Sequence, residues 1–385
     1  MKKLLAIFLT VFALLPMIAG AQPDDVAARA KDLPPDEYLR AKVLSIKDMG
    51  TQDDELETER LVEYRVRVTY GKDKGRELTI KSSQNVAKNA VRTVKVGDVI
   101  VAVKSYQIDG TVSYYLADNY RLPTLEVLAA IFFALTVLFG GVRGFTSALG
   151  LGASVMLILG FIVPRILAGG DPFMITLAGV FMIAAISLYL AHGFNRRTTV
   201  AFAGTLITLS ISAAVAYASV AVSRLYGMGS EQALYLQNGD FGNIDLRGLL
   251  LGGIMLGVLG VLDDITTAQS AVVEELKRAK PDLTFSDLYR RGLSVGREHI
   301  ASLVNTLFLA YAGAALPLFL LFSVYKGTPV WFTLNGEILS EEIVRTLVGS
   351  VCLILAVPIT TAIAAAFFTR YAPDEHAHGR AHAHH

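Results

Sequence analysis

The motif GVLDDITTAQS at Gly260–Ser270 decides the fold class, because it sets two adjacent acids at the end of a long apolar segment. A basic loop follows, and a second motif, GREHIASLVN at Gly296–Asn305, opens the next apolar segment. Charged side chains within membrane-spanning segments are rare, and a charge at the end of such a segment is a candidate functional site. We therefore expect the two motifs to meet at one face of a membrane.

Composition supports a membrane protein. The 385 residues are 53% apolar and only 18% charged, and the apolar residues lie in long uninterrupted blocks. Such blocks are typical of membrane spans. The net charge of +1 gives no reason to expect a nucleic-acid partner. The single cysteine, Cys352, lies in an apolar run, so an exported part of this chain holds together without disulfides.

The first 21 residues have the pattern of a secretory signal peptide. Two lysines precede the apolar run Leu4–Gly20, and Ala19-Gly20-Ala21 forms an A-x-A cleavage site. An uncleaved anchor helix is the alternative interpretation. In both cases the chain from residue 22 onward leaves the cytoplasm.

Residues 22–122 have the pattern of a small extracytoplasmic β-domain. Tyr64, Val66, Val68 and Tyr70 alternate with polar residues, which predicts a half-buried strand with these four on one face. The other predicted strands are Leu39–Ile46, Arg76–Ser82, Val99–Lys104 and Val112–Ala117. About five strands in this length predict an all-β, OB-like barrel. The acidic stretch Asp48–Arg60 is expected to be a mobile loop. The alternative to a ligand-binding barrel is a structural cap or protein-contact module.

Residues 123–370 are predicted to form an α-helical domain of about seven transmembrane helices. The predicted spans are Leu125–Val142, Phe145–Val163, Phe173–His192, Thr199–Val222, Leu246–Leu262, Ile300–Tyr325 and Ile343–Phe368. With the front end outside, loop and tail arginines and lysines favour the inside by eleven to five. An exported start, seven spans and a cytoplasmic tail at residues 371–385 are mutually consistent.

Small residues and prolines are expected to shape these helices. Glycines in several spans allow close helix packing in lipid. Helix breaks are predicted around Gly313 and Pro317 and at Pro358, where proline frees a carbonyl that needs another partner. Shared glycine spacing after Leu151 and after Leu251 is compatible with an inverted repeat of two three-helix units, as in many transporters.

Several motifs resemble the YibE/YibF-like membrane proteins. They are GVLGVLDDIT at Gly257–Thr266, GREHIA at Gly296–Ala301, NTL at Asn305–Leu307 and LAYAGAALP at Leu309–Pro317. Similarity at Val96–Asp98, Gly193–Thr198 and Val357–Thr360 extends the resemblance over nearly all of the chain after the signal peptide. The resemblance implies a bacterial multi-pass membrane protein with an extracytoplasmic leader domain, and it supplies no substrate. We expect this protein to lie in the inner membrane. The histidine-rich tail is not part of it.

The two motifs predict a pathway or binding site for an ion or small polar solute. Its residues would be Asp263, Asp264, Thr267, Gln269, Glu298, His299, Ser302 and Asn305. The carboxylates would attract a cation or carry a proton, and His299 would titrate near neutral pH. Alternatively, both acids lie in water at the interface, with Asp264 capping a following helix. Two further alternatives concern single residues: Arg297 pairs with an acid structurally and neutralises both charges, and Asn305 bonds a neighbouring helix.

The tail suggests weak metal binding, through His376, His378, His382 and His384. The alternative is a disordered, low-complexity tail that binds no metal. Apart from this divalent metal, no cofactor is expected. Neither a Walker nor a dinucleotide glycine pattern occurs in the sequence.

The predicted function is that of a permease. Its predicted partners are the lipid bilayer and a small solute or ion, and either further copies of the chain or another membrane protein. The alternative is a sensor or assembly protein whose exported β-domain binds a partner. An intramembrane hydrolase that uses Asp263 and Asp264 is the least favoured, because a helix turns adjacent side chains apart.

Overall fold

The computed structural model describes residues 34–53, 58–85, 94–107, 111–238, 244–324 and 327–371. The predicted signal peptide and the histidine-rich tail lie outside the described residues. The chain divides into two compact units, with the sheet in Ala21–Phe132 and the helical bundle in Phe133–His385.

The first unit contains a five-stranded antiparallel half-barrel. Its strands are β1 Glu37–Asp53, β2 Thr58–Tyr70, β3 Glu77–Asn85, β4 Val99–Tyr106 and β5 Val112–Asn119. They are hydrogen-bonded in the order β3-β2-β1-β4-β5, and the two edge strands β3 and β5 approach each other. All five predicted strands are therefore confirmed.

The alternating pattern of β2 is confirmed except at its last residue. Tyr64, Val66 and Val68 are buried in the core of the half-barrel, whereas Tyr70 is 60% exposed. The register moves from Ala41 opposite Val68 to Arg40 opposite Tyr70, so β2 carries an extra residue there. Such a bulge reverses the side-chain alternation, and Tyr70 turns to the outer face beside Arg40.

The expectation of a mobile loop at Asp48–Arg60 is wrong for most of that stretch. β1 continues to Asp53, and β2 begins at Thr58, so residues 48–53 and 58–60 belong to paired strands. Asp48 accepts a 2.9 Å hydrogen bond from Arg60 Nε across this hairpin. Cross-strand charge pairing offsets the low apolar content that suggested a loop.

The turn between β2 and β3 buries an ionised side chain. Asp73 is 7% exposed and accepts hydrogen bonds from Lys104 Nζ at 3.0 Å and from Arg76 Nη1 at 2.9 Å. These hydrogen bonds lower the pKa of Asp73 below its ordinary value, and the bond from Lys104 has a larger effect than the bond from Arg76. Because the folded state favours the charged form, its stabilising effect is complete above the ordinary pKa and is lost as the pH falls through the lowered one.

Acidification is therefore expected to loosen the β2–β3 turn through Asp73. Between neutral pH and about pH 3, hydrogen-exchange protection of this turn in the full chain, corrected for intrinsic rates, should decrease several-fold. In Asp73→Asn, protection should be low at neutral pH and change little. An equal decrease in wild type and variant would show that another group is responsible.

The second unit is helical. Its helices are α1 Leu122–Leu157, which begins in the first unit, α2 Val163–Leu167, α3 Pro172–His192, α4 Arg196–Val222, α5 Glu231–Asn238, α6 Leu246–Ala279, α7 Phe285–Ala314, α8 Leu316–Val324, α9 Val330–Asn335 and α10 Glu337–Arg370. A π-helical turn, Ile158–Ile162, joins α1 to α2.

In the part of the chain that the structure describes, five helices are long and apolar enough to cross a membrane. They are Leu122–Leu167, Pro172–His192, Arg196–Val222, Leu246–Ala279 and Glu337–Arg370. A sixth span results if α7 and α8 count as one bent pair. This differs from the predicted seven because the first two predicted spans fall in the single stretch Leu122–Leu167.

That stretch changes direction at Gly141. Its backbone angles there, φ 56° and ψ −137°, are not helical and favour glycine. A side chain at Gly144 would overlap the carbonyl oxygen of Thr136, so the chain bends sharply at this point. The bend lies at the end of the first predicted span, Leu125–Val142, one residue before its last.

α6 is the centre of the bundle, and it is longer than predicted. It packs against α3, α4, α7 and α10, and Leu262 and Ile265 are fully buried in the shared core. The predicted fifth span ended at Leu262, but the helix continues to Ala279. Neither Asp263 nor Asp264 therefore ends a helix, and Asp264 does not cap a following one.

The later helices agree in part with the predicted breaks. α7 begins at Phe285 with a capping box formed by Thr284 and Asp287. It ends at Ala314, and α8 leaves it at an angle of 58°, as Gly313 and Pro317 predict. Pro358, in contrast, lies inside α10, which continues through it to Arg370.

Candidate functional site

Asp263 lies in the middle of α6 and faces α3. Ser187 Oγ of α3 donates a 2.6 Å hydrogen bond to Asp263 Oδ2. The other oxygen, Oδ1, is buried and has no hydrogen-bond partner in the described part of the chain. A buried carboxylate oxygen without a donor is costly, so this geometry suits a site that receives a donor or cation from a ligand.

A cavity of about 380 Å³ lies beside Asp263. It is lined by Ser147, Gly150, Leu151, Ser154, Ser187, Ala191, His192, Gly260, Asp263, Asp264 and Thr267. The walls come from α1, α3 and α6. Serine and threonine hydroxyls and two carboxylates give this cavity an acidic and hydrogen-bonding lining.

A second cavity, of about 280 Å³, adjoins the first and is more basic. It is lined by Arg143, His192, Arg197, Thr198, Ala201, Asp264, Thr267, Ala268 and Ala271. The two cavities share His192, Asp264 and Thr267. The arginines come from the start of the second half of α1 and from the start of α4.

Local sequence explains why His192 and Arg197 reach this point. α3 ends at His192 because Gly193 takes a φ of 77°, and Asn195 then caps α4 by accepting a 2.8 Å bond from the Thr198 amide. The short connection places the last residue of one helix beside the first turn of the next.

Thr267 and Gln269 occupy different faces of α6. Thr267 Oγ1 donates to the carbonyl of Asp263 at 2.9 Å and lines both cavities. Gln269 is buried, and its Nε2 donates to the Gly292 carbonyl at 2.7 Å and to Thr361 Oγ1 at 2.8 Å. Gln269 thus ties α6 to α7 and α10 and does not line either cavity.

Replacing Gln269 with leucine is expected to destabilise the bundle by about 1–3 kcal/mol, because the Gly292 carbonyl and the Thr361 hydroxyl lose a buried donor. Thermal unfolding of the full chain in lipid nanodiscs would measure this effect. Gln237→Leu, at an exposed position of α5, is the control and should change the melting temperature little.

The predicted residues of α7 lie apart from these cavities. Glu298, Ser302 and Asn305 are exposed, and His299 is half-buried. None of them is among the residues that line the two cavities beside Asp263. The structure therefore brings together Asp263, Asp264 and Thr267, and it separates them from the four residues of α7.

Ser187, His192, Arg143 and Arg197 were missed as site residues by the sequence reasoning. His192 was visible as the end of a predicted span, and the two arginines were visible as loop charges. Their approach to the acids depends on how α1, α3 and α4 pack against α6, which the local pattern does not encode.

Among the described residues, no group of three or more His, Cys, Asp or Glu side chains is arranged to hold a metal ion. The tail histidines lie outside the described residues, so the metal-binding hypothesis for His376, His378, His382 and His384 stays a prediction.

A comparison with known protein families identifies the family of this chain. The model of the YibE/F-like protein family matches residues 128–370, which is more than half of the chain and includes both cavities. This chain belongs to the YibE/F-like family. The family match covers both motifs that suggested the resemblance, GVLGVLDDIT and GREHIA. No curated protein and no solved structure matches this YibE/F-like chain.

Proposed function

We propose that this YibE/F-like protein is a permease for a cation or small polar solute, which binds at Asp263 and Asp264. The observation that carries the proposal is the buried, partnerless Oδ1 of Asp263 beside a cavity of about 380 Å³. A cation or a donor group of the solute would supply the missing partner.

The depth of the site supports this proposal. Ser187 is five residues before the end of α3, which corresponds to about 7–8 Å along the helix. α3 has only 21 residues, about the length needed to cross the hydrocarbon core. Asp263 would then lie inside the membrane, where an unpaired charge costs about 2.5–3.5 kcal/mol on insertion scales.

We further propose seven membrane crossings, with the β-domain outside and the C-terminus in the cytoplasm of a bacterial inner membrane. The bend at Gly141 divides Leu122–Leu167 into two crossings, and α7 with α8 supplies another. The distribution of arginine and lysine favours this direction. Under this topology both cavities open toward the cytoplasmic half of the bilayer.

Cysteine labelling tests this topology. In a Cys352→Ala background, a cysteine at Glu231 of α5 should react in intact cells with a maleimide that cannot cross membranes. A cysteine at Glu275, near the end of α6, should react only after the membrane is opened. The opposite pattern would reverse the proposed orientation.

Uptake into proteoliposomes tests the transport function. Vesicles with the purified full chain should accumulate at least one member of a panel of inorganic cations, amines and amino acids faster than protein-free vesicles do. Uptake equal to that of protein-free vesicles for the whole panel would contradict the permease proposal.

The alternative function is a sensor or assembly protein, and one feature of the β-domain favours it. Tyr38, Tyr70 and Tyr115 are 44%, 60% and 48% exposed on the outer face of the sheet, and the Arg40 guanidinium lies 4.1 Å from the ring centre of Tyr70. The strand order is compatible with an OB-like barrel, a fold that often binds ligands. Co-purification of a stable membrane partner without any uptake would favour this alternative.

A further inference from the structure

The two adjoining cavities carry opposite charges. Asp263 and Asp264 line the larger one, whereas Arg143 and Arg197 line the smaller one. Asp264, Thr267 and His192 belong to both, so a bound molecule can contact the acidic and the basic parts together. The chemical class of the solute can be inferred from these charges, and that inference rests on the proposed permease function.

Arg143 and Asp264 line the smaller cavity without pairing. Among the described residues neither forms an ion pair, whereas Arg197 has Glu274 at 3.8 Å. Both side chains are exposed, so each is available to a bound molecule. Their separation leaves a gap with a carboxylate on one side and a guanidinium on the other.

We propose that the solute is a small zwitterion. Its ammonium group would bind at Asp263 and Asp264, and its carboxylate or other anionic group would bind at Arg143. Thr267 and His192 would contact the part between them. Cavities of about 380 and 280 Å³ hold a molecule of amino-acid size, and the charged groups provide orientation.

Electrostatics explains why a zwitterion is preferred over singly charged solutes. A simple amine is attracted by the two carboxylates, but it brings a positive charge toward Arg143, which repels it. A simple carboxylate gains from Arg143 but brings negative charge toward Asp264. A solute with both charges satisfies both sides, so specificity comes from repulsion as well as attraction.

Thermal unfolding of the full chain in lipid nanodiscs tests this preference. The probes are β-alanine and 4-aminobutyrate, each compared with the acid and the amine of equal chain length: propionate and propylamine, butyrate and butylamine. At least one zwitterion should raise the melting temperature at a concentration about tenfold lower than its acid or amine counterpart. No advantage for either zwitterion would overturn the proposal.

Variants identify the groups responsible. Arg143→Gln should reduce the response to the zwitterion to that of the amine, and Asp264→Asn should weaken the preference for the zwitterion, with Asp263 left to bind the ammonium group. Arg143→Lys keeps the positive charge and should keep most of the preference. Arg290→Gln, at an arginine that pairs with Asp287 on α7, is the control and should leave the preference unchanged. A preference that survives both Arg143→Gln and Asp264→Asn would also overturn the proposal.

The failure of this inference is distinguishable from the failure of the permease proposal. Uptake of an amine that depends on Asp263, without a preference for zwitterions, would reject the zwitterion and keep the permease. Absence of uptake for every probe would reject the permease itself.

Discussion

Asp263→Asn is expected to lower the rate of solute uptake by at least about tenfold, since the loss of one charge contact of about 1.4 kcal/mol has that effect. Asparagine has nearly the size of aspartate, and its side-chain oxygen can still accept the bond from Ser187. The variant should therefore fold normally while its site has lost a negative charge.

Two controls make this result specific. Glu275→Gln removes a carboxylate from the same helix at a position that is 53% exposed and pairs with Arg278, and it should leave uptake unchanged. Glu298→Gln tests the part of the predicted pathway that lies on α7. A decrease for Glu298→Gln together with normal uptake for Asp263→Asn would move the pathway from the α3 side of α6 to α7.

Gly296→Ala is expected to destabilise the bundle by about 1–3 kcal/mol, the usual cost of an overpacked core. A methyl group at this position would overlap Val357 of α10 and lie 3.0 Å from Gln269 Oε1. Gly296, with Gly292 one turn earlier, allows α7 to approach α6 and α10 closely enough for Gln269 to bridge them.

Gly160→Ala is the matched control for that variant. A methyl group at Gly160 meets no atom within 4 Å, so the substitution should be neutral or slightly stabilising. Melting temperatures of both variants in nanodiscs measure the difference. Equal melting temperatures would mean that the contact of α7 with α10 does not depend on a small residue at position 296.

Sequence periodicity predicted the secondary structure well where one pattern dominates. The sequence pattern located all five strands, and apolar length located α3 and α4 within a few residues. The seventh predicted span began at Ile343, whereas α10 begins at Glu337. Periodicity failed where a helix continues although its side chains change from apolar to polar. The end of the apolar run at Leu262 suggested the end of a helix, but α6 continues as a polar helix to Ala279.

The candidate site was predictable only in part, for a related reason. Charges in an apolar context drew attention to Asp263 and Asp264, but the nearness of α6 and α7 in sequence suggested that Glu298 and His299 were their neighbours. In the structure α6 packs against four helices, and the side of Asp263 faces α3. Which face of a helix meets which neighbour depends on packing. Gly292 and Gly296, for example, allow α7 to approach Gln269 closely.

The proposed site requires a water-accessible cavity beside Asp263 within the bundle. In a Cys352→Ala background, Gly260→Cys places a thiol on the cavity wall where nothing lies within 4 Å, and Leu262→Cys places one in the fully buried core. Charged methanethiosulfonates react with the thiolate, which needs water. We predict rapid modification at position 260 and none at position 262 in intact membranes. An unreactive Gly260→Cys in a correctly folded protein would contradict the existence of the cavity and, with it, the proposed site.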